Sequence, residues 1–288
     1  MKAIGIMRYG GPEVLEVIDV PEVNAGYKEV RIKNFASAVN PTDIVARSGM
    51  IAKFRKENPV FPSVPGMDVA GIVDQIGDGV RDDINIGDRV MGMVIPDGDY
   101  GAYREQLVLN QDAVVLAPKN TSHEEACTLP MNSLTARLSL DLLNLKPGQV
   151  IAVTGGPGAY GGYVIQLAKA DGLKVLADSN QDDESLLKDL GADIIISRDK
   201  NYVDQVRDHF PNGVDGLADG ALLNEKAIDA VRDGGFFTSI RGFKGLPQRN
   251  INFSATWVTT YNCDKEKLDK IRQQVEDGLI TLRVADVV

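Results

Sequence analysis

The sequence predicts an α/β protein in which an N-terminal, mostly antiparallel β domain precedes a doubly wound parallel sheet. Short strand patterns separated by turn residues fill residues 1–120. From residue 150 to about residue 240, strand and helix patterns alternate at the spacing of βαβ units. A glycine-rich loop joins the first strand of that region to its helix. At 288 residues the chain is long enough for two such cores.

The N-terminal strands are predicted where β-branched or alternating apolar residues cluster: KAIGIMRYG, LEVIDVPEV, EVRIKNFASAV, GIVDQIG, DRVMGMV, AYREQLVL and AVVLAPK. Turn residues such as Asp78-Gly79 and Gly87-Asp88 separate them. Residues 51–65 carry several charges and three prolines, so we expect a mobile loop there, in the position of a lid. Thr121 and Glu124 have the spacing of a capping box, and Ser133–Leu145 has the leucine spacing of a long helix that bridges the domains.

The glycine loop predicts a dinucleotide site. Val150–Thr154 is an apolar run without polar alternation, as in a parallel strand buried on both faces. Gly155, Gly158 and Gly161 follow at intervals of three and lead into a helical pattern. A helix N-terminus at a strand end presents free N–H groups to a pyrophosphate, which approaches closely only where side chains are absent. Asp178 ends the next strand, where an acid that binds ribose hydroxyls is expected. The alternative is a plain strand-to-helix turn, which these flanking elements disfavour.

The remaining pattern completes the second domain. Predicted strands cover residues 150–154, 173–178, 193–197, 214–219 and 235–240, and predicted helices cover residues 162–170, 182–190, 202–209 and 222–232. A strand at 251–259, a charged helix at 264–276 and a final strand at 279–284 follow. The expected domains are residues 1–120, residues 121–262, and a C-terminal segment, residues 263–288, that returns to the first domain.

Composition excludes several functions. The net charge of −10 repels phosphate backbones and anionic lipid, so neither nucleic acid nor a membrane is an expected partner. No signal-peptide pattern or long apolar run is present, and we expect a soluble, cytoplasmic protein. Cys127 and Cys263 lie far apart and are expected to be free, buried thiols. With only His123 and His209 besides, no spacing supports a zinc site.

The order of several motifs resembles the zinc-free quinone oxidoreductase branch of the medium-chain dehydrogenase/reductase superfamily. The motifs are Val39-Asn40-Pro41-Thr42-Asp43, Val64-Pro65-Gly66-Met67-Asp68-Val69-Ala70-Gly71, Gly87-Asp88-Arg89-Val90, Leu129-Pro130-Met131-Asn132-Ser133-Leu134-Thr135-Ala136, the glycine loop and Leu190-Gly191-Ala192-Asp193. The resemblance implies a GroES-like catalytic domain followed by a Rossmann-type domain. It also implies hydride transfer from a nicotinamide cofactor to a quinone or an α,β-unsaturated carbonyl.

Departures from zinc-dependent relatives are part of the resemblance. Asn40 stands where those enzymes have a cysteine ligand, and Gly66-Met67-Asp68 stands where they have Gly-His-Glu. Without a Lewis acid, reduction of a conjugated carbonyl is favoured over alcohol oxidation. The resemblance makes Asn40 the polar group beside nicotinamide and substrate, although an Asn-Pro turn is the alternative. Thr42 falls where relatives keep a hydroxyl proton relay, and Asp43 is expected to orient its neighbours.

The resemblance also implies the cofactor-binding residues. They are Thr135, Gly155, Gly158, Ala159, Tyr160, Gly161, Asp178, Ser179, Arg198, Asp219, Gly220, Arg241 and Gly242. NADP(H) is expected because the branch mostly uses NADPH, with Arg198 as a candidate partner of the 2′-phosphate and a solvated charge as the alternative. NAD(H) is possible, because Asp178 would repel that phosphate. Asp178 also aligns one residue before the usual acid.

Three further expectations concern the whole protein. Relatives suggest a homodimer or homotetramer, with residues 251–259 as an edge strand for pairing. Family members usually continue past Leu282–Asp286 with a helix and a strand, so lower stability and activity are expected of a chain that stops at Val288. The alternative to an enzyme is a non-catalytic dinucleotide-binding sensor or scaffold protein.

Overall fold

The computed structural model describes residues 1–55 and 60–288, and the chain divides into two compact units. The first unit contains Met1–Met131, Thr259–Glu276 and Leu282–Val288, and the second contains Asn132–Val258 and Asp277–Thr281. Within the described residues, no helix combines the length and the apolar character needed to span a bilayer.

The first unit is built on antiparallel strands, as the sequence predicts. They are β1 (Lys2–Gly5), β2 (Glu16–Asp19), β3 (Glu29–Ala36), β4 (Asp68–Ile76), β5 (Arg89–Met93), β6 (Gln106–Asn110) and β7 (Val114–Leu116). β1 pairs with β2, and the others form one sheet in the order β6-β3-β4-β5-β7. Alternate residues such as Val30 and Ile32 on β3 are fully buried, which gives the sheet one apolar face and the unit its core.

Short helices follow β3 and β7. They are α1 (Pro41–Arg47), α2 (Met50–Arg55) and α3 (His123–Ala126). α2 occupies the start of the segment predicted as a mobile loop, and Ser63 near its end exchanges backbone hydrogen bonds with Ile6. Residues 56–59 of the expected lid lie outside the described residues.

The second unit is a parallel sheet with helices between its strands. Its elements are α4 (Pro130–Leu143, which begins at the end of the first unit), β8 (Val150–Thr154), α5 (Ala159–Ala170), β9 (Lys174–Ser179), α6 (Glu184–Asp189), β10 (Ile194–Ser197), α7 (Tyr202–His209), β11 (Val214–Asp219), β12 (Val231–Ile240) and β13 (Asn252–Thr256). The strand order β10-β9-β8-β11-β12-β13 reverses direction between β8 and β11. This is the Rossmann order, whose ligand crevice lies at the carboxyl ends of the strands where the order reverses. The predicted fold class is confirmed.

The C-terminal helix α8 (Lys265–Glu276) belongs to the first unit. Glu276 accepts a hydrogen bond from the backbone N–H of Lys119 at 3.0 Å, and Lys265 pairs with Asp83 at 3.2 Å. Leu268 and Ile271 are the buried residues of its apolar face. The predicted helix at 264–276 is therefore confirmed.

Two element predictions near the end of the chain are wrong. The predicted helix at 222–232 is a 3-10 helix, Asn224–Ala230, after which β12 begins at Val231. The Asp219 carboxylate accepts the N–H groups of Leu223 and Asn224, so the backbone turns there instead of starting an α-helix. The predicted strand at 279–284 is absent, because the N–H of Thr281 donates to the side chain of Gln166 rather than to another strand.

Three local predictions also need correction. The capping box lies one residue later than predicted: Ser122 and Glu125 form it, while the Thr121 hydroxyl donates to the Pro118 carbonyl. The bridging helix begins at Pro130 and ends by Asn144, whose φ of +48° leaves the helical region. Both cysteines are free, but only Cys127 is buried; Cys263 is exposed.

Candidate functional site

Asn40 and Asp43 lie at the first turn of α1. Pro41 at the first helical position fixes a helical φ, and Asn40 is the residue that precedes it. The Asp43 carboxylate accepts the N–H of Asn40 at 2.8 Å, which satisfies one of the backbone donors that a helix start leaves unpaired. Asn40 is only 2% exposed, so this turn is part of the interior of the first unit. Thr42, between them, is partly exposed.

Asp43 also binds two groups from elsewhere in the unit. It accepts the N–H of Gly66 at 3.0 Å and the hydroxyl of Tyr103 at 3.1 Å. Gly66 has a φ of +102°, and a Cβ there would lie 2.6 Å from the Tyr103 ring, so only glycine fits. Burial raises the pKa of Asp43, while these hydrogen bonds oppose that rise. Asp43 therefore fastens α1 to the loop before β4.

Asp68, the first residue of β4, completes the cluster, and sequence reasoning assigned it no role. It is fully buried. One carboxylate oxygen accepts the side-chain Nδ2 of Asn40 at 2.7 Å, and the other accepts the N–H of Met131 in the first turn of α4 at 2.7 Å. Burial raises the pKa of Asp68 to about 7, and the neighbouring charge of Asp43 adds to the rise. We name Asn40, Asp43 and Asp68 the amide–carboxylate cluster.

The amide–carboxylate cluster does not match a zinc site. Its carboxylates accept hydrogen bonds from protein N–H and O–H groups, and Asn40 and Met67 are poor replacements for the thiolate and imidazole that zinc prefers. Nowhere in residues 1–55 and 60–288 do three His, Cys, Asp or Glu side chains group in a way that could hold a metal ion.

The glycine loop of the second unit has the geometry that a pyrophosphate needs. Gly155 has a φ of +71°, and α5 begins after Gly158, which supplies no side-chain cap. A Cβ on Gly161 would lie 2.2 Å from the carbonyl oxygen of Gly155, so helix and loop approach closely only because glycine stands there. The first N–H groups of an α-helix have no acceptor within the helix, and glycine at the N-cap position, Gly158, has no side chain that could supply one.

Asp178 faces this loop. Its carboxylate accepts the N–H of Gly155 at 2.6 Å and that of Gly156 at 3.3 Å, and its second oxygen pairs with Arg198 Nε at 3.1 Å. Asp178 is 3% exposed, whereas the Arg198 side chain is 45% exposed. Both carboxylate oxygens of Asp178 thus bind protein groups, which makes Asp178 a residue that shapes the loop. Arg198 is paired rather than a solitary solvated charge, and Ser179 beside it is buried.

Asp219 and Tyr160, like Asp178, are buried and form hydrogen bonds with other side chains of the second unit. Asp219 is fully buried and accepts the hydroxyl of Thr154 at 2.5 Å. The Tyr160 hydroxyl lies 2.7 Å from Ser139 Oγ, and burial raises the pKa of Tyr160 well above its usual range. A Cβ on Gly220 would lie 2.7 Å from the Tyr160 ring.

Most of the predicted cofactor-binding residues lie at one edge of the parallel sheet. Gly155, Arg198, Asp219 and Arg241 end or directly follow β8, β10, β11 and β12, which run parallel. Arg241 has a φ of +64°. The neighbouring Gly242 lies close to the ring of Trp257. Thr135 is buried on α4.

Comparison with known proteins assigns the chain to a family. Residues 26–119 match the alcohol dehydrogenase GroES-like domain. The chain is 34% identical over 290 residues to the 2-methylene-furan-3-one reductase of Solanum lycopersicum, a match that covers 97% of this chain and 70% of the relative. The match to the quinone oxidoreductase of Sus scrofa is 31% over 298 residues and covers 97% of this chain and 86% of the relative. The chain belongs to the quinone oxidoreductase branch of the medium-chain dehydrogenase/reductase superfamily.

A third member of the same superfamily carries its cofactor in its name. The chain is 31% identical over 290 residues to the chloroplastic NADPH-dependent alkenal/one oxidoreductase of Arabidopsis thaliana, covering 97% of this chain and 70% of that relative. The predicted family is thereby confirmed.

Proposed function

We propose that the protein is a zinc-independent, NADPH-dependent reductase of quinones or α,β-unsaturated carbonyls. The observation that carries the proposal is the hydrogen bond between Asn40 and Asp68. Asn40 stands where zinc-dependent relatives have a cysteine ligand, and Asp68 stands where they have the glutamate of Gly-His-Glu. An amide held by a carboxylate offers hydrogen bonding in place of a Lewis acid. Hydrogen bonding suffices for a conjugated carbonyl, because the developing negative charge spreads over an enolate-like system.

Relatives support the substrate class. Those named above are reductases of a methylene-furanone, of alkenals and alkenones, and of quinones. All three names describe an electrophilic carbon conjugated with a carbonyl group. This shared chemistry is the substrate class we assign to the chain.

The chain's own residues divide the work. When bound, the reduced nicotinamide supplies the hydride. Asn40 acts as the polar group beside the nicotinamide and the substrate oxygen, and Asp43 keeps α1 in place. Thr42 passes a proton through its hydroxyl toward the substrate. In this proposal the protein orients the reactants and holds the developing charge.

NADP(H) is the cofactor we propose. The N-terminus of α5, which follows a glycine N-cap, and the glycines at 155, 158 and 161 fit a pyrophosphate. Because Asp178 is engaged by the loop and by Arg198, its charge is partly neutralised and repels a 2′-phosphate less than an unpaired acid would. The half-exposed Arg198 guanidinium has further N–H donors suited to that phosphate.

We also propose a homodimer or homotetramer. In the described part of the second unit, β13 is the outer strand of the parallel sheet on one side. An outer strand has backbone groups available for pairing with a second copy. Sedimentation of the purified protein at two concentrations measures this state, and a single monomeric species contradicts it.

Absorbance of NADPH in the presence of a panel of quinones, alkenals and alkenones tests the activity. We expect steady NADPH oxidation with at least one of these classes, unchanged after dialysis against a zinc chelator. NADPH binding without oxidation across the whole panel contradicts the proposal and favours a sensor or scaffold. Loss of activity on chelation contradicts zinc independence.

The cofactor choice is tested by titration of the protein with NADPH and with NADH. We expect tighter binding of NADPH, and Arg198→Ala to weaken NADPH binding about tenfold while leaving NADH binding within twofold. Asp199→Ala, an exposed neighbour, is the matched surface control. A preference of the wild-type protein for NADH contradicts the choice of NADP(H).

A further inference from the structure

The carboxyl group of Asp68 holds the Asn40 amide in the proposed function, and it also joins β4 to α1 and to Met131 in the first turn of α4. Asp68 begins β4, accepts Nδ2 of Asn40 at the start of α1, and accepts the N–H of Met131 in α4, both at 2.7 Å. Asp68 is 0% exposed and Asn40 is 2% exposed. A buried carboxylate that accepts two hydrogen bonds restricts the motion of the two donor groups.

The chemistry of the contact restricts Asn40 in a specific way. A side-chain amide has a donor end, Nδ2, and an acceptor end, Oδ1, and the two ends have nearly the same shape. An ionised carboxylate only accepts, so the contact at 2.7 Å requires the nitrogen to face Asp68. The carboxylate thereby sets the plane of the amide and the direction of the second N–H of Nδ2, which is the donor that the proposed function assigns to the substrate oxygen.

We propose that Asp68 is a positioning residue for the reductase reaction, and that its carboxylate fixes the orientation in which Asn40 meets the substrate. This inference rests on the proposed function, in which Asn40 contacts the substrate oxygen. It assigns to the first residue of β4 a role in turnover, with no direct contact to substrate or cofactor.

The groups around Asp68 determine how its charge responds to pH. Asp43 faces it from α1, Tyr103 from the segment before β6, and Cys127 from the end of α3. Burial raises the pKa of Tyr103 far above its usual range and that of Cys127 to about 12, so both are neutral near pH 7. Because the pKa of Asp68 is raised to about 7, its protonation state changes in the neutral range. The positioning carboxylate is present above that pH and is lost below it.

The first test compares Asp68→Asn with Asp74→Asn in steady-state NADPH oxidation, with the panel substrate that the wild-type enzyme reduces fastest. Asp74 lies on the same strand and accepts Arg31 Nε at 2.8 Å and Gln106 Nε2 at 2.9 Å, so it is a matched carboxylate away from Asn40. We expect Asp68→Asn to lower kcat about tenfold or more, because the single acceptor oxygen of an amide at 68 is needed by the N–H of Met131. The donor end then faces Asn40 and reverses the orientation of the Asn40 amide. KM for NADPH should stay within about twofold, and Asp74→Asn should match the wild type.

The second test measures the pH dependence of kcat for the same variants. Wild-type kcat should fall as the pH drops below about 7, and this dependence should be absent in Asp68→Asn. A role of Asp68 in folding alone would leave the profile of the folded enzyme unchanged.

A double variant, Asn40→Asp with Asp68→Asn, separates positioning from stability. In this variant the side chain at residue 68 donates a hydrogen bond and the side chain at residue 40 accepts it, which is the reverse of the wild-type contact. We expect it to recover the melting temperature lost in Asn40→Asp alone while kcat stays low, and this reading holds even if Asp68→Asn alone fails to fold.

Three results overturn the inference. Wild-type turnover with an unchanged kcat and pH profile in Asp68→Asn removes Asp68 as a positioning residue and leaves the proposed function intact. Recovered kcat in the double variant removes Asp68 as a positioning residue and also contradicts the role proposed for Asn40, which that variant lacks. No turnover by the wild type across the panel overturns both.

Discussion

The two units build their candidate sites from different material. In the second unit, one continuous stretch from β8 to α5 presents backbone N–H groups, and the Asp178 side chain holds that stretch by accepting the N–H of Gly155. In the first unit, the side chains of Asn40, Asp43 and Asp68 come from two elements and bind one another. The backbone site is suited to holding a cofactor of fixed shape, whereas the side-chain site is suited to chemistry that depends on donor orientation. Variants should therefore separate into those that change binding and those that change turnover.

The largest expected effect is on the backbone site. Gly161→Val should abolish NADPH binding and lower the free energy of unfolding by about 3 kcal/mol, because its Cβ would lie 2.2 Å from the Gly155 carbonyl oxygen. Gly158→Ala is the graded comparison, since its Cβ meets only that same oxygen, at 3.2 Å, and should destabilise the fold far less. NADPH titration and thermal melts measure both. Equal effects of the two variants would contradict the account of close packing at residue 161.

Asp178→Ala should have the next largest effect. It leaves the partly buried N–H of Gly155 and the Arg198 side chain without their shared acceptor, which costs about 1–3 kcal/mol of stability. We expect NADPH and NADH to bind more weakly by a similar factor, because the loop that both use is loosened. Isothermal titration with each cofactor measures this. If NADH binding alone weakens, Asp178 binds the ribose directly and does not act through the loop.

A smaller effect concerns stability and pH in the side-chain site. The pKa of Asp68 is raised from 3.8 to about 7 in the folded protein, so the folded state retains a proton that the unfolded chain releases. The resulting contribution to stability is present below pH 4 and is lost as the pH rises toward 7, with a slope of at most about 1.4 kcal/mol per pH unit. Asp68→Asn should therefore melt near the wild-type temperature at pH 4 and above it at pH 8. Parallel melting curves for the two proteins across this range would contradict the buried, titrating carboxyl.

Much of the fold could be predicted because its elements are periodic over many residues. The strands at 150–154 and 214–219 have the predicted bounds, and the apolar run Val150–Val153 is typical of a parallel strand covered on both faces. The predictions failed where a single side chain redirected the backbone. The Asp219 carboxylate accepts two backbone N–H groups, and a 3-10 helix forms in place of the predicted α-helix. The Gln166 side chain accepts the backbone N–H of Thr281, which therefore does not pair with a strand. Such contacts join residues that no local pattern connects.

The candidate site shows the same division. The glycine spacing predicted the loop between β8 and α5, because close backbone approach has a direct residue signature. The partners of Asp178 and the role of Asp68 could not be predicted, because Asp68 and Asn40 are separated by 28 residues and meet only after β4 and α1 fold together. A polar residue beginning the buried run Asp68–Gly71 was the one available signal.

The most direct test of the account is the comparison of kcat and the NADPH dissociation constant for Asn40→Ala and the wild type. We expect kcat to fall about 100-fold, as for loss of one hydrogen-bond donor at a developing oxyanion, while the dissociation constant stays within about twofold. An unchanged kcat in a folded Asn40→Ala variant would remove Asn40 from the mechanism and contradict the division between a binding unit and a chemical unit.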